Sequence, residues 1–365
     1  PMTAIIDVVE PSQLTEADRA AWRALQSGEP AYGSPFLSPD WLDLLVRVDG
    51  PDRERSRVAI LRDEGRPRAF LPVRVCRGRA LAAGSPFCDY AGPVAEPGAA
   101  FPADALLKAL RVAEFDFSNA SDPDGVLADH VRDQSISWVI DLSNGYEAYA
   151  AERRQAGTDV LRDCAKKLRK LEREQGSARF TELSTSETAF DQLFGWKREQ
   201  LRATRQTDIF SRDWSMQLMQ AAFENQAPEF GGAMFTLEVG GLLIAAHFAL
   251  RGAGVVHAWM IAHHPAFARY SPGLLLLCHI LQWAAGSGIR EVDLGPGDYR
   301  FKSSFANRAR MLSHGYLARP SPGALVRGAQ YALQAAAEAL PLGALSQLPG
   351  KARRRLDIVR ALKGV

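Results

Sequence analysis

The sequence predicts an α+β chain of two halves, each a mixed, mostly antiparallel sheet flanked by helices, followed by a helical C-terminal tail. Three observations carry this. The order strand, two helices, three antiparallel strands, helix, strand runs twice along the chain, alike in order though not in sequence. Gly240-Gly241 separates two runs of apolar, β-prone residues and marks a tight hairpin. The chain of 365 residues, 47% apolar and 24% charged, exceeds what one hydrophobic core ordinarily organises. The boundaries expected are 2–145 for the first domain, 146–320 for the second and 321–365 for the tail.

In the first half, Ile5 to Val9 reads as a strand, and Thr15 caps a helix over Glu16 to Leu25. Ser38 caps a second helix with Pro39 at its first position, burying Trp41, Leu44 and Leu45. Arg57 to Leu61 and Ala69 to Val75 are strands joined by Asp63-Glu64-Gly65. A helix over Ala103 to Leu110 and strands over Val112 to Phe117 and Ser137 to Ile140 follow, and Asp141 to Tyr149 reads as the junction. Leu161, Leu168 and Leu171 have helical spacing and place the basic stretch Arg162 to Arg173 on a helix. The second half then has a strand over Arg179 to Leu183 and helices over Ser186 to Ala203 and Ser211 to Asn225. The hairpin strands are Ala233 to Val239 and Leu242 to Leu250, with a third strand over Val255 to Ile261. A helix over Gly273 to Ala285 and strands over Arg290 to Leu294 and Met311 to Ala318 complete it. Ala324 to Leu340 and Lys351 to Leu362 are two amphipathic segments of the tail.

Composition excludes several functions. A net charge of +2 is unlike the strongly basic domain of a dedicated nucleic-acid binder, so no DNA partner is expected. The four cysteines, Cys76, Cys88, Cys164 and Cys278, have neither C-x-x-C pairing nor metal-ligand spacing and read as reduced thiols of a cytoplasmic protein. His263-His264 has no third ligand at suitable spacing, so no metal site is expected. No signal peptide is read at the N-terminus, and no apolar run reaches the ~18–20 residues that span a bilayer. No Ser-His-Asp set and no G-x-x-x-x-G-K-[ST] motif supports a hydrolase or an NTPase.

Two clusters carry candidate chemistry. Arg269-Tyr270-Ser271-Pro272-Gly273 stands before the helix that begins at Leu274, where unpaired N–H groups and the helix dipole favour a pyrophosphate. Ser271 is expected to cap, Gly273 to admit the ligand to the backbone of Leu274 and Leu275, and Arg269 to add a charged hydrogen bond. The second cluster, Asp293-Leu294-Gly295-Pro296-Gly297-Asp298-Tyr299-Arg300-Phe301-Lys302, follows a strand directly and gathers titratable groups at its end.

These stretches, with Trp259 to Ala262 and the spacing of Asp293, Gly297, Asp298, Phe301 and Lys302, resemble the CelD-type acetyltransferases of the GNAT superfamily, which are related to the FemAB-type aminoacyltransferases. Phe36, Ser38, Trp41, Pro72, Asp89-Tyr90 and Gly92-Pro93 fit the N-terminal half of that family, so the resemblance covers roughly residues 30 to 310. The chain differs at Phe301, where the family more often has Tyr, and at Pro272, where the GNAT pyrophosphate loop has Gly.

The resemblance implies tandem GNAT-like domains and transfer of an acyl group from acetyl-CoA, a co-substrate, to an amine. An amino sugar, free or lipid-linked, in envelope or exopolysaccharide assembly is the expected acceptor. Asp293 or Asp298 would take the amine proton and Lys302 would steady the oxyanion. Asp89, Tyr90, His247, Trp259 and Tyr299 are the candidate acceptor contacts, and the first domain is read as structural or acceptor-binding. Two other readings are an aminoacyltransferase of FemAB type using aminoacyl-tRNA, and a non-catalytic GNAT-fold regulator. The tail supplies Lys351, Arg353, Arg354, Arg355, Arg360 and Lys363 beside Leu356, Val359 and Leu362. A basic amphipathic helix of this kind suits the anionic inner face of a membrane, or a cyclic dinucleotide at Arg354 and Asp357.

Overall fold

The computed structural model describes residues 5–297, 299–341 and 343–364. The first half runs β1 (Ile5–Val9), α1 (Glu16–Gly28), α2 (Pro39–Arg47), β2 (Ser56–Asp63), β3 (Arg66–Cys76), β4 (Arg79–Ala82), the short β5 (Val94–Ala95), α3 (Ala103–Ala109), β6 (Glu114–Ala120) and β7 (Val131–Asp141). Two helices, α4 (Tyr146–Gln155) and α5 (Val160–Gln175), lead into the second half. That half runs β8 (Ala178–Thr181), α6 (Glu187–Ala203), α7 (Asp213–Glu224), β9 (Phe230–Val239), β10 (Leu242–Gly252), β11 (Val255–His263), α8 (Pro272–Gly286), β12 (Glu291–Pro296), α9 (Arg300–Phe305) and β13 (Arg308–Ala318). The tail folds as α10 (Pro322–Glu338) and α11 (Leu348–Lys363).

Local chemistry explains where these elements start. Thr15 Oγ1 accepts the Asp18 N–H at 3.1 Å and Ser38 Oγ accepts that of Trp41 at 3.1 Å, each satisfying a donor that the helix itself leaves unpaired. The Gly240-Gly241 turn sets Leu242 opposite Val239, and the ladder runs on to Gly252 opposite Phe230. Both glycines have positive φ, as a two-residue hairpin turn requires.

The strands form one sheet in the order β1-β2-β3-β4-β6-β13-β7-β12-β11-β10-β9-β8, with β5 paired to β3. Each half is an antiparallel meander closed by one parallel step, β4 beside β6 in the first and β11 beside β12 in the second. The halves then exchange their last strands. β7, from the first half, pairs with β12, and β13, from the second, pairs with β6, while β7 and β13 pair with each other through the centre. The sheet therefore continues across the junction instead of ending in two exposed edges.

Helices cover both faces. One core lies under α1, α2, α6 and α7 and draws on both halves: Phe36, Trp41 and Phe87 meet Phe194, Phe210, Phe248 and Trp259. The Trp259 ring lies edge-on to Phe36 and Trp41, with centroids at 5.4 and 5.7 Å, and its indole N–H donates to the Phe87 carbonyl at 3.0 Å. On the opposite side α8 packs Leu276, Ile280 and Leu281 on the second half, and α3 packs Leu106 and Leu107 on the first. Full burial of one such side chain contributes ~1.5–3 kcal/mol.

Three local expectations are corrected. The stretch read as a junction already contains the start of α4, because Tyr149 buries its ring and donates its hydroxyl to the Phe305 carbonyl at 2.8 Å. The strand read over Ser137 to Ile140 extends back to Val131, because pairing with β13 stabilises residues whose own pattern is polar. The loop read after β12 contains α9, which turns Lys302 inward. In the tail, α11 is docked on the protein: Leu362 joins the shared core, and Arg353 is buried against Asp133 at 3.2 Å and Gln334 at 2.9 Å. Arg353 and Leu362 therefore do not belong to a free amphipathic surface.

Because β12 needs β7 on its open side, a chain beginning at Tyr146 lacks a strand that the second half requires. It is expected to be insoluble or to lose its cooperative thermal transition, whereas a chain beginning before Val131 keeps one. Circular dichroism melting of the two chains checks this, and equal melting would show that the exchanged strand is dispensable.

Candidate active site

The parallel pairing of β11 with β12 ends at His257 opposite Asp293. Beyond it β11 continues to His263 and β12 to Pro296 with no further pairing between them, so the strands splay. A splay leaves backbone donors and acceptors without strand partners, and such groups must find another partner. Two lysines answer them. Lys197, from α6, donates to the Ile261 carbonyl at 3.5 Å on the β11 side. Lys302, from α9, donates to the Gly295 and Pro296 carbonyls at 3.2 and 2.8 Å on the β12 side. Burial lowers the pKa of both ammonium groups. For Lys197 the nearby Lys302 adds to the lowering, and for Lys302 the carboxylates of Asp89 and Asp293 oppose it.

At the apex of the splay His257 is fully buried. Its Nε2 lies 2.8 Å from Asp89 Oδ2, and its Nδ1 lies 3.7 Å from Asp293 Oδ1, beyond hydrogen-bond length. The ring is thus flanked by two carboxylates. Asp293 is also fully buried and accepts from the Gly295 N–H at 2.7 Å and the Ser137 hydroxyl at 3.2 Å. Arg310 comes within 3.4 Å of its second oxygen while pairing with Glu291 through both carboxylate oxygens. A buried carboxyl group held by this many donors is fixed in place and cannot turn to reach a ligand. The Asp89 side chain, by contrast, is 32% exposed.

Gly295 makes this arrangement possible. Its φ is +72°, where a β-carbon is strained, and a β-carbon there would stand 3.1 Å from Asp89 Oδ2 and 3.3 Å from His257 Nε2. Trp138 steadies the following turn by donating its indole N–H to the Gly297 carbonyl at 3.1 Å.

The structure separates the residues that the sequence grouped. Asp293 and Lys302 flank the splay, and Asp89 from the first half joins them there through His257, 168 positions away in sequence. Asp298 lies outside the described residues. Tyr299 stands exposed at the start of α9, with the Lys302 ammonium 5.5 Å from its ring. Tyr90 and His247 are buried, and Trp259 is a core residue, so none of the three presents a face to an acceptor. Tyr90 sits edge-on to His257 at 5.8 Å, and burial together with Asp293 raises its pKa. Lys197, Ser137 and Arg310 are additions, and nothing in their local sequence marks them, because each acquires its role from a strand or helix distant in the chain; His257, on the strand beside that of His247, is the histidine of the two that takes the apex.

The start of α8 also differs from expectation. Ser271 has a left-handed backbone and its hydroxyl does not cap the helix; instead it accepts from Lys167 Nζ of α5 at 2.8 Å. The Leu274 and Leu275 N–H groups already donate to the Ser271 carbonyl, at 2.9 and 3.2 Å. Gly273 is buried, and a β-carbon there would meet Ile261 Cδ1 at 3.3 Å. Arg269 points away, over the Tyr270 ring and toward Glu174 at 3.4 Å. What remains for an anion is the Gly273 N–H and the Lys167 ammonium.

The first half holds a counterpart of the splay. The pairing of β4 with β6 ends at Leu81 opposite Asp116, and the space beyond is a cavity of about 220 Å³ closed by α11, with Arg74, Arg79, His314, Arg354 and Arg360 in its wall. Asp357, read with Arg354 as a nucleotide contact, instead pairs with Arg327 at 2.9 Å.

Comparison with known proteins agrees with this architecture. Residues 158–303 match the family model described as an acetyltransferase (GNAT) domain. Among solved structures, FemX superposes with a TM-score of 0.54 at 9% identity, over 84% of this chain and 96% of that one. A tandem GNAT protein from the clavulanic acid biosynthesis pathway superposes with a TM-score of 0.49 at 10% identity, over 87% of this chain and all of the other (100%). No curated protein matches the sequence. The fold is two GNAT-like halves in tandem with a helical tail.

Two outcomes follow from this geometry. Gly295→Ala places a methyl against Asp89 and His257, and is expected to push the two side chains apart while the fold persists, which a crystal structure of the variant and an unchanged thermal melt check. The second concerns acid stability. Burial, with His257 and Lys197 adding to it, pushes the His247 imidazole down to about 3, and burial pushes that of His314 down to about 4. Unfolded histidine titrates near ~6.5, so below that pH the unfolded chain binds the extra protons. Their contribution to stability is complete above ~6.5 and is lost as pH falls toward ~4, at up to ~1.4 kcal/mol per pH unit for each ring. His247→Leu should flatten the fall measured by urea unfolding between pH ~7 and ~4.5, and an unchanged slope would show that the ring is not held neutral.

Proposed function

We propose that the chain is an acyl-CoA-dependent N-acyltransferase with its reaction centre at the splay of β11 and β12. The observation that carries this is the Asp89–His257 pair at 2.8 Å, set at the point where the strands part and flanked by Lys197 and Lys302. The acetyltransferase match over 158–303, which includes both strands and both lysines, supports the acyl-CoA donor.

The chemistry makes simple demands. An acceptor amine must lose a proton as it attacks the thioester carbon. Asp89 has the exposed carboxylate at the apex and receives that proton, directly or through one water, while His257 holds it in place from behind. The C–N bond forms, the C–S bond breaks, and the proton passes on to the departing sulfur. Negative charge gathers on the carbonyl oxygen between the two steps. Lys302, held by two carbonyls on the β12 side, and Lys197 on the β11 side supply the donors for that charge. Donors fixed before the reaction stabilise such a charge without reorganising, by ~3–4 kcal/mol for a well-placed group. Asp293 holds the Gly295 turn by accepting from its N–H, and so keeps the floor of the apex in place. The Lys167 ammonium and the Gly273 N–H support the donor's pyrophosphate at the start of α8.

An amino sugar of envelope or exopolysaccharide assembly is the acceptor that the resemblance to the CelD-type family favours. The second reading, aminoacyl transfer of FemAB type, is favoured by the likeness to FemX, which bears on the fold.

Asp89→Asn keeps a hydrogen bond to His257 but cannot accept a proton, and Lys302→Met removes a charge at similar volume. Each should lower turnover with acetyl-CoA by ~100-fold or more and leave acetyl-CoA binding by calorimetry within a factor of about three. Lys167→Glu should weaken that binding and leave kcat unaltered. Failure of the wild type to bind acetyl-CoA, together with transfer from aminoacyl-tRNA, would decide for the second reading.

A further inference from the structure

The helix α10 is turned inside out. Its inward face is polar: Arg327, Tyr331 and Gln334 are buried. Arg327 pairs with Asp116 at 2.7 Å and with Asp357 at 2.9 Å. Tyr331 stacks on Tyr316 with centroids at 5.8 Å and carries the Arg353 guanidinium 4.2 Å above its ring. Gln334 donates to Asp133 at 2.8 Å. The outward face is apolar, with Leu325 77%, Val326 57% and Leu333 62% exposed and Ala329, Ala332 and Ala336 between them. Between Pro322 and Ala337 the only charged residue is Arg327, and it points inward.

The face continues past the helix. Leu345, Leu348 and Leu356 are exposed by 62%, 53% and 50%. Among the described residues, most of the exposed large aliphatic side chains thus fall in one stretch of the tail, the others being scattered over the two halves. Monomers in water do not ordinarily collect their leucines in this way. On α11 the neighbouring exposed side chains are Lys351 and Arg355, which make no ion pair among the described residues.

We propose that the outer face of α10 and α11 docks on a lipid bilayer with anionic headgroups. Leucines and alanines without charge enter the acyl boundary, and the cationic rim meets phosphate. Charge favours a bilayer over a second copy of the chain: the cationic rim matches anionic headgroups, which a copy with the same rim does not offer there. Among the described residues no helix is long and apolar enough to cross a membrane, so the segment lies in the interface. The contact does not depend on the proposed chemistry, since none of its residues lines the splay.

The test uses the full chain. Co-sedimentation is measured with vesicles of phosphatidylglycerol and phosphatidylcholine, and with vesicles of phosphatidylcholine alone, with light scattering of the free protein in parallel. Binding to the mixed vesicles is expected, weaker on the neutral ones and falling with added salt. The double variant Leu325→Ser/Leu333→Ser, at exposed positions, should lower the bound fraction at least tenfold with an unchanged thermal melt. Lys351→Glu/Arg355→Glu should remove the preference for phosphatidylglycerol. Absence of wild-type binding at low salt, or equal binding by the serine variant, overturns the proposal. A dimer that the serine variant dissociates, without vesicle binding, assigns the face to a second copy and also overturns it.

Discussion

The molecule depends on the exchange of β7 and β13. Each half builds a meander and one parallel step, and each would end on an open edge. By passing its last strand to the other, each half closes that edge, and the two become one sheet with a helix layer shared across the junction. Backbone groups in a sheet interior must be paired, and the exchange pairs them without further chain.

The splay follows from the same constraint. β12 pairs with β7 through Pro296 opposite Ser137, with an irregularity around Gly295, so it follows β7 and departs from β11 after Asp293. The opening at His257 is thus the consequence of β12 having a neighbour on its other side. Asp89 is then supplied by the loop that Trp41, Phe87 and Trp259 hold against the second half. The first half therefore contributes a carboxylate to the candidate site as well as half of the sheet. Its own splay is closed by α11, whose Ala361 carbonyl accepts from buried Arg74 at 3.1 Å.

Charge is handled differently at the two ends of the molecule. At the splay, carboxylates, an imidazole and two lysines are brought together where burial lowers the lysine pKa values and water is scarce. In the tail a comparable number of charges is buried for anchorage: Arg327 and Arg353 are matched to Asp116, Asp133 and Asp357 and tie α10 and α11 to β6 and β7. Such a network contributes little net stability beyond an apolar contact of the same shape, but breaking one partner leaves an unmatched buried charge. It holds the tail in one orientation, with the leucines of α10 outward.

The sequence by itself determined what short stretches decide: the caps at Thr15 and Ser38, the Gly240-Gly241 hairpin, the helical spacing from Leu161 to Leu171, and the order of elements that marks a duplicated α+β chain. It also located the second half as the seat of Asp293 and Lys302, because a strand followed by glycines and charged residues is a local pattern. Tertiary structure decided the rest. Asp89 was legible as a candidate acceptor contact, but that it meets His257, 168 residues away, was not. Tyr90, His247 and Trp259 resembled acceptor contacts because aromatic and imidazole side chains read alike whether they line a cleft or fill a core. Helical periodicity revealed the two faces of α10 but not which one turns inward. That was decided by the aspartates of β6 and β7, which gave its polar face partners within the protein that the apolar face lacked.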